Sequence, residues 1–154
     1  MAIEIISGLY LGNKIDSHNT IFLKSRNIKV IINTSNEIPF LKECNNLGIQ
    51  CIRIPISDKF LEKDKEKNNN EYYYQFRDLC KLIDLKLLQN KNILVHCKHG
   101  KYRSTTLIIA YLMYKTKMDY KKLYSILETK YPLVQIRKHI FIDALQKWNE
   151  ELSI

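Results

Sequence analysis

The stretch Asn92-Ile93-Leu94-Val95-His96-Cys97-Lys98-His99-Gly100-Lys101-Tyr102-Arg103-Ser104 runs from a strand through a polar turn into a helix. Ile93, Leu94 and Val95 make a short apolar run bounded by polar residues, the pattern of a buried strand. Residues 104–115 carry Leu107, Ile108, Ile109, Ala110, Leu112 and Met113, apolar on nearly every side, which predicts a buried helix. A buried strand feeding a buried helix is half of a βα unit and predicts a mainly parallel sheet with helices over both faces.

Moving outward, residues 28–33 and 49–56 repeat the strand pattern with many β-branched residues, and residues 3–11, with Gly8 in the middle, supply one or two edge strands. A helix is predicted over 17–26 with Ser17 as its N-cap. Residues 72–89 give the clearest helix: Phe76, Leu79, Cys80, Ile83 and Leu87 fall on one face. Two more helices are predicted over 119–130 and 136–152, the last turning Ile140, Ala144, Leu145, Trp148 and Leu152 toward the core. The expected fold is therefore α/β: a single domain over residues 1–154, with a central, mainly parallel twisted sheet of four to five strands and helices on both faces. Residues 62–70 are wholly polar and read as a mobile loop. Tyr72, Tyr73 and Tyr74 read as a surface aromatic patch or a helix start, and His18 and His139 as exposed polar residues.

The composition fits an ordinary globular chain of 154 residues, 45% hydrophobic and 27% charged. No apolar run approaches the ~18 residues of a membrane span, and residues 1–12 lack a basic stretch followed by an apolar one. A soluble cytoplasmic or nuclear protein is expected. Cys44, Cys51, Cys80 and Cys97 show neither a CxxC pair nor zinc-finger spacing, so free thiols, no metal site and no cofactor are expected. The net charge of +9 favours an anionic partner such as phosphate groups, nucleic acid or an acidic membrane surface. Enrichment in Lys, Asn, Ile and Tyr along the whole chain explains that charge equally well as a compositional bias.

Residues 96–104 carry the chemistry. Five residues separate Cys97 from Arg103, enough for the chain to curl so that successive backbone N–H groups point inward as an anion nest. The nest opens onto a helix N-terminus, which also favours negative charge. Gly100 supplies the backbone freedom that the curl requires. Among such donors and near Arg103, Cys97 is stabilised as a thiolate, a nucleophile able to attack phosphorus in line. The planar Arg103 fork matches two phosphate oxygens as a lysine would not. His96 is placed to orient the loop from behind, and Ser104 to donate a hydrogen bond to the sulfur. The remaining loop residues, Lys98, His99, Gly100, Lys101 and Tyr102, are substrate-binding candidates; the cationic ones either contact a second phosphate or point to solvent.

His96-Cys97-x5-Arg103-Ser104 is similar to the signature of the cysteine-based protein phosphatases, and the chain resembles a minimal dual-specificity phosphatase domain. Gly8-Leu9-Tyr10-Leu11-Gly12 resembles the family's opening segment, residues 28–33 its next strand and Ala110-Tyr111-Leu112-Met113 the helix after the loop. The resemblance covers roughly residues 5–130; residues 131–142 lack the Pro-Asn and Gly-Phe pairs that members often carry there. It implies that Asp58, after Ile54-Pro55-Ile56-Ser57, is the general acid and later the base; read from the residue alone, Asp58 is also a turn former closing a strand. Asp64 is the fallback acid. Cys44 or Cys51 could form a reversible disulfide with Cys97 on oxidation, or simply pack.

The resemblance implies a phosphatase acting on phosphotyrosine and on phosphoserine or phosphothreonine in proteins, since so short a domain lacks the insertions that deepen a tyrosine-only pocket. The alternative keeps the chemistry on a polyanionic non-protein substrate: an RNA 5′-triphosphate, a phosphoinositide or an inositol polyphosphate. Lysines at the positions of Lys98 and Lys101 resemble the phosphoinositide branch, and a histidine at His99 the RNA branch. A third reading, a catalytically inactive module that binds phosphorylated partners, predicts loss of the cysteine, arginine or acid, and all three positions are filled.

Overall fold

The computed structural model describes residues 2–56, 65–99, 103–131 and 139–154, excluding the side chains of 65–72 and 139–141. Its single sheet contains β1 (Ile3–Ile6), β2 (Leu9–Gly12), β3 (Ile28–Asn33), β4 (Gln50–Arg53) and β5 (Asn92–His96), in the order β1-β2-β5-β3-β4. β2, β5, β3 and β4 run parallel, and only β1 is antiparallel, at the edge. The hairpin between β1 and β2 turns at Gly8, whose φ of +85° suits a residue without Cβ. An added Cβ there would also meet Asn92 Oδ1 at 3.0 Å.

The helices are α1 (Thr20–Ser25), α2 (Lys65–Leu88), α3 (Arg103–Thr116), α4 (Tyr120–Lys130) and α5 (His139–Glu151). Alternation along the strands divides the core in two. Leu9, Leu11, Val30, Ile32, Ile93 and Val95 face α2, α3, α4 and α5, with the buried Phe76, Tyr111 and Trp148 among their neighbours. Tyr10, Ile31 and Leu94 face the other way, toward Leu23 of α1 and Cys44. The sheet is thus covered on both faces, as the sequence predicts.

Three local expectations need correction. Asn19, not Ser17, caps α1: its Oδ1 accepts from the Phe22 amide at 3.1 Å, while the Ser17 hydroxyl donates to the Lys14 carbonyl at 2.8 Å inside a preceding 3-10 turn. Residues 65–70, read as part of a loop, belong to α2; Lys, Glu and Asn tolerate a helix, and no Pro or Gly interrupts them. β4 is shorter than residues 49–56, because Pro55 has no N–H for the ladder. The Ile54 and Ile56 amides still donate to the carbonyls of Asn33 and Thr34, at 2.9 and 3.0 Å.

Candidate active site

The strands end in register: Gly12, His96, Asn33 and Arg53 form one row across β2, β5, β3 and β4. Beyond that row, at the carboxyl edge where parallel sheets hold their ligands, three segments converge. The segment after β5 brings Cys97, which is 3% exposed, with its Sγ 3.1 Å from the Ser104 Oγ in the first turn of α3. Arg103, the residue before it, opens the same helix. A sulfur and an arginine are therefore set at the N-terminal end of one helix, where the peptide dipoles favour negative charge.

His96 lies behind this pair and is fully buried, its Nδ1 3.2 Å from the Cys97 carbonyl oxygen. A carbonyl only accepts, so Nδ1 carries the ring proton and Nε2 keeps its lone pair. Among the described residues Nε2 has no hydrogen-bond partner. Burial pushes the pKa of the ring down to about 4, so His96 is neutral at physiological pH and acts on the loop through a hydrogen bond rather than a charge. The segment after β2 supports the loop from the side: the Lys14 amide donates to the Lys98 carbonyl at 3.2 Å, and the Asn13 amide to Asp16 Oδ2 at 2.9 Å. Gly12 permits this approach, for a Cβ there would lie 2.8 Å from Asp16 Oδ2.

The segment after β3 contributes a carboxylate. Glu37 accepts from both terminal nitrogens of Arg103, at 2.7 and 3.2 Å, in a two-bond fork. The guanidinium holds the Glu37 carboxyl well below the usual range, at about 2. Thr34, buried, donates to the His96 carbonyl through both its amide and its hydroxyl at 2.9 Å. Around this helix start the Arg103 guanidinium is thus held by Glu37, and the backbone of His96 and Lys98 by Thr34 and Lys14.

These features match a known pattern. The family model for the dual specificity phosphatase, catalytic domain, matches residues 9–151, from the first residue of β2 to the end of α5. This chain belongs to that family. Among curated members of the dual specificity phosphatases, human dual specificity protein phosphatase 9 is 33% identical over 128 residues, covering 83% of this chain but 31% of its own length. Dual specificity protein phosphatase 1B of Arabidopsis thaliana is 27% identical over 159 residues, covering 97% of this chain and 83% of its own length. The chain spans about a third of the length of several curated relatives it matches, the human dual specificity protein phosphatases 9 and 6 among them. The fold is similar to the crystal structure of human DUSP28, with a TM-score of 0.81 at 20% identity over 99% of this chain and 95% of that one.

The structure of this dual specificity phosphatase domain brings together Cys97, Ser104, Arg103 and His96. Lys98 and His99 are exposed. Asp58, Asp64, Gly100, Lys101 and Tyr102 lie outside the described residues. Cys51 interacts with Cys44, not with a described atom of the catalytic loop: burial first, and the Cys44 thiol second, push its pKa up to about 12. Cys80 packs in the larger core with its Sγ 3.9 Å from the Ala110 carbonyl. His18 is exposed and within 2.9 Å of the Pro39 carbonyl, and the half-buried Tyr73 packs its ring at a tilt, 5.8 Å from that of Trp148, rather than standing in a purely surface patch. Glu37, Thr34 and Arg53 are the residues that sequence reasoning missed. For Thr34 the available signal was the polar run Asn33-Thr34-Ser35 directly after an apolar strand; Glu37 and Arg53 had none.

Proposed function

We propose that the protein hydrolyses phosphomonoesters through a phosphocysteine on Cys97, acting on phosphotyrosine and on phosphoserine or phosphothreonine in proteins, with residues 1–154 as one catalytic unit. The observation that carries this reading is the 3.1 Å pairing of Cys97 Sγ with Ser104 Oγ at the start of the helix that bears Arg103. In the first step the Cys97 thiolate attacks phosphorus in line, the bond to the leaving oxygen breaks, and Asp58 gives that oxygen its proton. In the second, Asp58 takes a proton from water as the water oxygen bonds to phosphorus. The P–S bond then breaks and its electron pair returns to sulfur, where the Ser104 hydroxyl stabilises it.

Arg103 acts as the clamp. A guanidinium has five N–H donors on a planar frame; Glu37 takes the end edge between the two terminal nitrogens. The side edge, with Nε, matches two oxygens of the phosphoryl group, which spread negative charge in the transition state. The backbone of Lys98, His99, Gly100, Lys101 and Tyr102 supplies the remaining donors. The four free thiols fit a reducing compartment, which supports a cytoplasmic or nuclear location.

The test compares phosphate release from a phosphotyrosine peptide, a phosphothreonine peptide and a 5′-triphosphorylated RNA at matched ionic strength. Release from both peptides that disappears in Cys97→Ser is expected. Release from RNA alone would overturn the protein-substrate reading, and activity that survives Cys97→Ser would remove the nucleophile. Asp58→Asn should lower kcat toward the phosphopeptides by roughly 10²–10⁴-fold; wild-type rates in that variant would sink the assignment of the acid.

A further inference from the structure

Residues 35–38 form the turn that carries Glu37, and this turn is stapled from below. Arg53, the last residue of β4, donates through one terminal nitrogen to the Ser35 carbonyl at 2.6 Å and through the other to the Ile38 carbonyl at 2.8 Å. Its guanidinium also lies 4.9 Å from the centroid of the Phe40 ring. Asn33 fixes the same two points: its Nδ2 donates to the Ile38 carbonyl at 2.8 Å, and its Oδ1 accepts from the Ser35 amide and hydroxyl at 2.9 and 2.7 Å. The Ile38 amide in turn donates to the Ser35 hydroxyl at 3.1 Å. Between the stapled carbonyls only Asn36 and Glu37 remain, both exposed.

The energetics give the staple a purpose. The Glu37 side chain is 51% exposed and Arg103's is 15% exposed. An exposed glutamate on a loose turn would lose most of its pairing energy to side-chain entropy and screening. A two-bond fork is kept only if the backbone that presents it is already fixed. Arg53 is suited to that task, because its planar fork spans two carbonyls at once while a lysine ammonium is a single point.

We infer that Arg53 is a positioning residue of this site: by clamping the carbonyls of Ser35 and Ile38 it fixes Glu37, and Glu37 aims the Arg103 guanidinium at the phosphoryl group. The inference rests on the phosphatase reading above. Arg53 touches neither Cys97 nor the phosphate in this account; it acts through two other residues. A misaimed clamp at the transition state lowers kcat more than it raises KM, because the interaction strengthens as charge develops.

The experiment is a double-mutant cycle with Arg53→Lys and Glu37→Gln, reading kcat and KM for p-nitrophenyl phosphate and the inhibition constant of orthovanadate, with thermal melts of each variant. Each single change should lower kcat/KM roughly tenfold to a hundredfold, mostly in kcat, with weaker vanadate inhibition. In the Glu37→Gln background, Arg53→Lys should lower it by less than about twofold, the non-additivity of residues acting in series. Losses that multiply across the cycle, or an Arg53→Lys enzyme at wild-type kcat, would overturn the inference. Glu37→Asp guards against an Arg53 variant that fails to fold. A stapled turn prevents the shorter aspartate from following, so Glu37→Asp should lose as much as Glu37→Gln; near wild-type activity in Glu37→Asp would overturn the staple. Hydrolysis that depends on Cys97 but ignores Arg53 sinks this inference alone. A wild-type protein without Cys97-dependent hydrolysis removes the phosphatase reading and this inference with it.

Discussion

The Ser104 hydroxyl, buried, meets the Cys97 sulfur, which is nearly so, at 3.1 Å. On the proposed mechanism this bond stabilises the sulfur as a thiolate during attack, and during breakdown of a phosphocysteine it lowers the barrier by stabilising the sulfur as it leaves. The second effect acts on the transition state and therefore on turnover. A hydrogen bond to a charged group contributes about 1.5–3 kcal/mol, so Ser104→Ala should lower kcat by roughly 10–100-fold and make phosphocysteine breakdown the slow step. Rapid-quench kinetics with p-nitrophenyl phosphate should then show a burst of nitrophenol equal to the enzyme; the absence of a burst would place the hydroxyl's effect elsewhere. His96 carries a different consequence. Burial holds its pKa at about 4 against an ordinary 6.5, so between those values the unfolded chain binds a proton that the folded chain refuses. Stability is therefore fully present above pH 6.5 and falls as the pH drops toward 4, by roughly 3 kcal/mol for this one ring. Chemical denaturation at stepped pH should show this slope in the wild type and a flatter one in His96→Asn. Equal slopes would mean that other groups govern acid sensitivity.

At the scale of elements, what could be read from the chain was whatever is local. β3 and β5 have the bounds their apolar runs imply, and the hairpin turns at Gly8. Cys97 directly follows β5 and Arg103 and Ser104 open α3, so their proximity was legible for the same reason. Asn19 defeated the Ser17 cap because both residue types cap well, and only the path of the chain chooses between them. Glu37 could not be found because its partner Arg103 lies 66 residues away on α3, and Arg53 lies 18 from Ser35 at the end of β4, a proximity no local pattern encodes. α5 and its buried Trp148 were legible, but not the tie to α3, where the Trp148 Nε1 donates to the Ala110 carbonyl at 3.0 Å in the core. Trp148→Phe keeps an aromatic ring against Phe76 and Tyr73 but leaves that carbonyl with one donor fewer. A loss of about 1–3 kcal/mol is expected by denaturant titration. A change within about 0.5 kcal/mol would mean that α5 is held by packing alone.

For the whole molecule the open quantity is what the +9 charge does. Either it draws anionic substrates to the site, or it reflects a lysine-rich composition spread without regard to the site. The two differ in their response to salt, since screening acts on long-range attraction and hardly at all on a buried sulfur. Lys98 stands exposed directly after Cys97, so at least one cation borders the site. Steering of an acidic phosphopeptide should make kcat/KM fall severalfold between about 50 and 200 mM salt, while kcat stays constant. The same peptide with neutral flanks should respond much less. If the two peptides respond alike, the surface charge is not organised around the site. An RNA 5′-triphosphate engaging many cations would instead lose about 10³–10⁵ in affinity over that range. A slope that steep, with phosphate released from the RNA, would move the proposed substrate from protein to nucleic acid while leaving the proposed roles of Cys97, Arg103 and Ser104 unchanged.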